Sequence, residues 1–329
     1  MEAAIITTYR CNARCQMCAT WQHPTRQDDE LSPDVLKRLP QLDFCNITGG
    51  EPFLRTDIEK IVGVVRKKAK RVVISTNGYF TERILDVARK HQNIGIRISI
   101  EGLPEVNDEL RGIKNGFDRG LRTLLKLQRL GIKDIGFGIT VSDRNARDMI
   151  ELYELAKAMG LEFATAAVHN SYYFHKLDNE ISEKEEVIAC FEELIGELLS
   201  TRRAKNWFRA YFNYGLINYI RGRERLLPCE AGMENFFLTP SGDVVPCNGS
   251  ETPWVMGNLR EKEWGDIWES PKAGEVRDRV RNCRKNCWMI GTAAPVMKKY
   301  IKSPLLWVVR NKLRRLAGCR ICLDRPLAK

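Results

Sequence analysis

Three cysteines, Cys11, Cys15 and Cys18, follow a short apolar run at the start of the chain with C-x3-C-x2-C spacing. A loop this short, leaving the end of a strand, turns three thiols inward at one point. Three thiolates are one fewer than the four that hold an ordinary [4Fe–4S] cluster. An iron without a protein ligand is open to a small molecule while the cluster carries an electron. A zinc site needs a fourth ligand; His23 is the nearest, and with it the spacing resembles no common structural zinc motif. Zinc and idle core thiols remain the alternatives at this point.

A second motif, Thr48-Gly49-Gly50-Glu51-Pro52, follows the apolar run 42–47. Gly49 and Gly50 let the backbone approach a ligand closely. Glu51 supplies an acceptor for an ammonium, and Pro52 stiffens the exit from the loop. Alone this is a common turn. Together with the three cysteines it resembles the signature of the radical S-adenosylmethionine (SAM) enzymes. That resemblance implies a [4Fe–4S] cluster on Cys11, Cys15 and Cys18, with the SAM amino group held at Gly49, Gly50, Glu51 and Pro52. It implies one-electron cleavage of SAM to methionine and a 5′-deoxyadenosyl radical, which takes a hydrogen from substrate. An electron donor such as a flavodoxin or ferredoxin is implied with it.

The first half of the chain alternates short β-branched runs (3–8, 42–47, 71–75, 95–100, 134–141 and 162–168) with amphipathic ones (33–38, 57–68, 81–90, 117–130 and 146–159). Asp57 and Thr81 stand where helix caps belong, and Gly131 and Gly160 close two helices. The alternation predicts right-handed crossovers and a parallel sheet. Six such units fit the α/β partial (β/α)6 barrel of the family, whose ligands gather at the carboxyl ends of the strands. At those ends lie Asn77, after the third strand, and Ser99 and Glu101, after the fourth. By resemblance Ser99 and Glu101 contact the SAM ribose and carboxylate, and Asn77 lines the pocket. Met17 stands where relatives carry an aromatic residue, and a thioether still packs on adenine. The family's adenine motif after strand five has only a loose match in Gly136, Gly138 and Ile139. His169, Tyr172 and Tyr173 follow strand six, either to bind substrate or move protons or as a surface loop with its polar groups satisfied.

Four more cysteines, Cys229, Cys247, Cys283 and Cys287, lie beyond Pro228. A hairpin over 235–246, turning at Pro240-Ser241-Gly242-Asp243, brings the first two together, and a loop adds the others. Four thiolates complete a cluster with no open iron; a zinc knuckle is the alternative. The set, with Gly242-x4-Cys247 and the segment 254–268, resembles the auxiliary-cluster domain called SPASM and its shortened form Twitch. The resemblance implies one auxiliary [4Fe–4S] cluster, with a partly ligated second cluster as the rival, and ligation by four cysteines favours electron transfer as its role. Cys45 and Cys190 read as buried small residues. Cys319 and Cys322 are too few for another all-cysteine set. The predicted layout is a barrel over 1–170, a helical bridge over 171–228, an auxiliary-cluster domain over 229–290 and a tail over 291–329.

Clustered cysteines without a signal peptide predict reduced ligands in a cytoplasmic protein. No apolar run is long enough to span a bilayer. The formal charge is +11, of which residues 298–329 supply +9 through ten Lys/Arg against Asp324. The main body therefore shows no basic excess that predicts nucleic acid. In the tail, Leu305, Leu306, Val309, Leu313 and Leu316 share about a third of a helical circumference. Asn311, Arg314 and Arg315 point the other way, with Trp307 nearby, and Ser303-Pro304 reads as the helix start. A basic amphipathic helix suits the inner face of an anionic membrane, or its stripe docks on the barrel. The tail leans the substrate toward a glycan or lipid-linked molecule, with a small molecule or ribosomal peptide as alternatives. A non-catalytic iron–sulfur carrier and a zinc scaffold are the readings of another class.

Overall fold

The computed structural model describes residues 1–323. Six strands, β1 (Glu2–Ile6), β2 (Leu42–Thr48), β3 (Ala69–Thr76), β4 (Gly95–Ser99), β5 (Ile135–Val141) and β6 (Glu162–Ala167), pair in parallel in chain order. Between them run α1 (Ile58–Lys68), α2 (Thr81–Lys90), α3 (Pro104–Arg111), α4 (Gly116–Arg129) and α5 (Asp148–Ala158). Ile5, Ile47, Ile74, Ile96 and Phe137 share one face of the sheet and are buried, whereas Asn46, Ser75 and Ser99 on the other face are half-buried. The sheet stays open, ending at β6.

Beyond β1 the sheet continues. After α6 (Lys184–Ser200) and α7 (Ala204–Ile220), β7 (Asn235–Leu238) pairs with β1 in parallel. The antiparallel strands β8 (Asp243–Val245) and β9 (Gly257–Asn258) follow, giving nine strands in the order β6-β5-β4-β3-β2-β1-β7-β8-β9. Both cysteine regions therefore hang from one sheet. Helices α8 (Trp264–Trp268) and α9 (Pro271–Arg281) cover the hairpin, with the Trp264 ring centroid 4.4 Å from that of Phe236. Helices α10 (Ile290–Lys299) and α11 (Lys302–Leu316) complete the described chain. No helix among the described residues is long and apolar enough to cross a membrane.

Local differences from the sequence reading have identifiable causes. The run 33–38 forms only a short 3-10 turn, Val35–Arg38, because Pro40 forces Leu39 into an extended conformation. Phe80, not Thr81, stands at the N-cap of α2, and the Thr81 hydroxyl shares a hydrogen bond of 2.7 Å with Thr123. Asp57 holds its cap position, but its carboxylate accepts from Arg55 instead of the helix amides. The unforeseen α3 begins on Pro104 and ends at left-handed Gly112 (φ 55°), an ordinary start and stop pair. Helix α11 starts ahead of Ser303, with Ile301 at its N-cap. Trp307 and Asn311 are buried, and the Trp307 ring stacks on Tyr214 of α7 at 5.0 Å. Residues 324–329 of the predicted tail lie outside the described residues.

Candidate active site

Between β1 and Cys11 the chain is anchored on a buried carboxylate. Glu30 accepts from Arg10 Nε at 2.9 Å, from Arg10 Nη2 at 2.7 Å, from Thr25 at 2.7 Å and from the Thr8 hydroxyl. Burial opposes its charge, but these donors outweigh it and hold the carboxyl below its ordinary range. From the other side, Gly50 N–H donates to Thr8 O at 2.7 Å and Glu51 N–H to Arg10 O at 2.8 Å. A Cβ on Gly50 would come within 2.3 Å of Arg10 O, and one on Gly49 within 2.7 Å of Thr8 O. These glycines were expected to let a ligand approach. What they admit here is the neighbouring strand of chain, the one that carries the cysteines.

The cysteine loop closes on itself and on α3. Cys18 N–H donates to Cys15 O at 3.2 Å, while Arg14 N–H donates to Arg111 O at 2.9 Å and Gln16 N–H to Leu110 O at 2.8 Å. Burial pushes the Cys11 thiol up to about 12 and raises those of Cys15 and Cys18.

Several predicted SAM contacts are occupied by protein. Glu51 is buried and accepts from Phe53 N–H at 3.0 Å, Thr76 Oγ1 at 2.7 Å and Asn77 N–H at 2.8 Å. Each of its oxygens already has a donor, and burial raises its pKa. Glu101 accepts from Arg111 Nη1 at 3.0 Å and from Thr140 N–H at 2.6 Å. Pro52 is buried and opens a 3-10 turn, Pro52–Leu54. Asn77 Nδ2 donates to Asn12 Oδ1 at 2.8 Å, fastening the end of β3 to the cysteine loop. Ser99, at the end of β4, and Met17 are both half-buried.

Arg111 is the residue the sequence reading missed. Its guanidinium is buried within electrostatic reach of Cys11, Cys15, Glu51 and Glu101. Only one nitrogen is spent on Glu101; Arg111 Nε and Asn12 Nδ2 are buried with no partner among the described residues. Two unsatisfied buried donors beside the cysteine loop fit an incoming carboxylate. The available signal was the Pro104–Gly112 helix frame, which places an arginine one residue before the turn back to the strand ends.

The loop after β6 arches over the cysteines. Ala19 N–H donates to Phe174 O at 2.7 Å, and Tyr173 Oη donates to Gly49 O at 2.7 Å. Tyr173 is thus a brace, whereas Tyr172 Oη and His169 Nε2 are buried with no partner among the described residues. His23 stacks on His175 with ring centroids 4.4 Å apart. Between this loop and the cysteines opens a cleft of about 700 Å³ that reaches Arg14, Cys15, Cys18, Trp21, Lys176 and Asp178.

The second set converges through the hairpin. Val245 pairs with Phe237, so the chain leaves β8 beside the start of β7, where Asn235 Nδ2 donates to Pro246 O at 3.2 Å. Cys247 thereby returns to the segment of Cys229, and the loop after α9 brings Cys283 and Cys287. All four line one pocket with Trp254, Val280 and Met289. Burial pushes Cys247 up to about 12 and raises Cys287. Among the described residues no three His, Cys, Asp or Glu side chains gather as the ligands of one metal ion do. Cys15 and Cys18 border the cleft of about 700 Å³, whereas the pocket shared by Cys229, Cys247, Cys283 and Cys287 holds about 20 Å³. Cys45 is buried, as expected, whereas Cys190 is only half-buried. Cys319 is exposed and Cys322 buried, and neither lines either cavity.

The model of the radical SAM superfamily matches residues 5–156, and that of SPASM, an iron–sulfur cluster-binding domain, matches residues 229–288. The mycofactocin maturase MftC of Mycobacterium tuberculosis (strain ATCC 25618 / H37Rv) is 31% identical over 277 residues, 80% of this chain and 68% of the maturase. The chain belongs to the radical SAM superfamily. It is a radical SAM enzyme with a SPASM domain, and its cofactors are SAM, a [4Fe–4S] cluster and auxiliary iron–sulfur. The AdoMet-dependent heme synthase of Methanosarcina barkeri (strain Fusaro / DSM 804) is 27% identical over 84% of this chain and 83% of its own length. The Fe-coproporphyrin III synthase of the same organism is 34% identical, but the match covers 45% of this chain and 39% of that one. Among solved structures, anSMEcpe with bound AdoMet and the Cp18Cys peptide superposes with a TM-score of 0.66. It covers 96% of this chain and 99% of its own at 15% identity, a likeness of fold.

Proposed function

We propose that Cys11, Cys15 and Cys18 hold the SAM-binding cluster, that Cys229, Cys247, Cys283 and Cys287 hold one auxiliary cluster, and that the substrate is a peptide. When bound, SAM and its cluster supply reductive cleavage of the sulfonium and abstraction of a substrate hydrogen atom. Arg111 Nε and Asn12 Nδ2 donate to the SAM carboxylate, while Ser99, Asn77 and Met17 line its nucleoside end. Glu51, Gly49, Gly50 and Pro52 act by fixing the cysteine loop against β2. The loop over 169–178 shields the reacting centre from water. Ligation by four cysteines leaves the auxiliary cluster closed, which suits electron transfer. The barrel over 1–170, bridge over 171–228 and cluster segment over 229–290 then divide the work, with a flavodoxin or ferredoxin as donor.

The cleft carries the substrate reading. Its walls alternate apolar and polar groups, Trp21 and Leu177 among Arg14, Gln22, Lys176 and Asp178. That mixture matches an extended chain with side chains and free amides. A maturase is among the relatives, and a peptide occupies the solved structure of like fold. The glycan or lipid-linked substrate suggested by the tail has no counterpart among these proteins. A tetrapyrrole is the second reading, favoured by the heme synthase that aligns over most of the chain. The test is 5′-deoxyadenosine release by the anaerobically reconstituted enzyme with SAM and dithionite. Acceleration by a peptide pool but not by coproporphyrin is expected; the reverse pattern moves the assignment to the tetrapyrrole.

A further inference from the structure

We infer that α11 seats the enzyme on an anionic lipid bilayer through a face of the helix that the described residues leave exposed. The helix is apolar on two opposite sides. On the inner side Pro304, Trp307 and Val308 are buried, with Trp307 stacked on Tyr214 and Asn311 Nδ2 donating to Trp307 O at 3.0 Å. On the outer side Leu305, Leu306, Val309, Leu313 and Leu316 are 45, 70, 55, 62 and 84% exposed. At about 100° per residue those five fall within an arc of about 100°, opposite the buried face. The inner face suffices to dock the helix, so the outer stripe is not required by the fold.

The stripe is no scatter of single residues. Of the ten large hydrophobic residues exposed among those described, eight lie between Ile290 and Leu316. Folded chains rarely expose a contiguous apolar patch unless something covers it. Charge selects what does. Residues 298–323 contain eight Lys/Arg and no Asp or Glu. Lys298 and Lys299 are engaged by Glu2, Glu230 and Glu234. Lys302, Arg310, Arg314, Arg315 and Arg320 make no ion pair among the described residues. On the helical wheel Lys302 stands within the stripe at its amino end and Arg310 beside it, where their stems lie along the apolar surface and their heads reach phosphates. A second copy of the chain would bring cations against cations, whereas anionic lipid headgroups neutralise them.

The test needs no substrate and no SAM turnover, so it stands or falls apart from the proposed reaction. The full chain, with clusters loaded anaerobically, is sedimented with phosphatidylcholine vesicles and with vesicles containing phosphatidylglycerol. Wild type should pellet with the anionic vesicles only, and less as salt is raised. Leu306→Asp/Leu313→Asp changes exposed positions, so cluster absorbance and melting should hold while vesicle affinity falls at least about tenfold. Arg310→Glu/Arg314→Glu should weaken binding in the same direction. Wild type failing to bind, or the leucine variant binding equally, overturns the inference. So does a wild-type dimer that the leucine variant converts to monomer, because the stripe would then be an interface between copies.

Discussion

At the amino-terminal site three thiols come from eight consecutive residues, whereas at the other site four come from separate turns between Cys229 and Cys287. The first loop is shaped by contacts to Glu30, the Gly49–Gly50 turn and the end of α3, and it opens on a cleft of about 700 Å³. Beside it sits a buried arginine whose Nε has no partner among the described residues. The second pocket is walled by Trp254, Val280 and Met289 and depends on hairpin register to close. On the proposed ligand sets, local spacing makes a site with one position left for a ligand, and tertiary convergence makes one that is complete. That difference would separate a centre that does chemistry on a small molecule from one that moves electrons.

The largest effect that would break this contrast is at the first loop. Cys11→Ala/Cys15→Ala/Cys18→Ala should lower iron from about eight to about four per chain. In the same variant SAM cleavage should fall by at least about three orders of magnitude. Cys247→Ala/Cys287→Ala should also remove about four irons. SAM cleavage without substrate should then persist within about tenfold while substrate conversion is lost. Iron analysis and 5′-deoxyadenosine quantification check both. If each variant loses all iron, the two sites are one cooperative unit and the contrast fails.

The same contrast explains what could be read from sequence. Cys11, Cys15 and Cys18 and the β/α alternation are local patterns, and the strands of the barrel fell where β-branched runs placed them. The hairpin 235–246 was legible from its turn residues. Its pairing with β1, which merges the two regions into one sheet, was not, because parallel partners over 200 residues apart leave no local mark. Glu51 and Glu101 were expected to face a ligand; each is buried and held by donors from other segments. Arg111 was hidden for the same reason. Its role follows from Glu101 and the cysteine loop, which no spacing along the chain connects to it.

Arg111 sharpens the comparison at the next level, since its proposed role is to hold SAM at the first site. Arg111→Gln should weaken SAM binding roughly 10- to 100-fold, the worth of a charged hydrogen bond of about 1.5–3 kcal/mol. Iron content should remain that of wild type. Arg111→Lys should rescue little, because an ammonium lacks the fork that serves Glu101 and a ligand at once. Leaving Glu101 buried and unpaired should also cost about 3–5 kcal/mol of stability. Equilibrium dialysis with SAM separates the two effects from each other at a temperature where the variant is folded. Unchanged SAM affinity would return Arg111 to a purely structural role.

The smallest effect is a control on the shared sheet. Asp134, just before β5, accepts from Arg71 of β3 at 2.8 Å and pairs with Arg97 of β4. It stands at the amino ends of these strands, whereas the cysteine loop leaves the carboxyl end of β1. Burial opposes its charge, but Arg97 and Arg71 outweigh it and hold the carboxyl down to about 2. A folded-state pKa below the ordinary value of about 3.9 stabilises above that pH, and the benefit is lost as pH falls toward 2. Because Asp134 is partly exposed, solvent screening reduces the contribution to about 1 kcal/mol. Asp134→Asn should therefore lower stability by that amount from pH 7 to pH 5, with the gap narrowing below about pH 4. Urea melts followed by tryptophan fluorescence measure it. Both iron content and SAM cleavage should be unchanged, since the mutation loosens the sheet without touching either thiol set. A selective loss of one cluster would mean that the sheet transmits strain unequally, and the contrast between the sites would then rest on the scaffold as much as on their ligands.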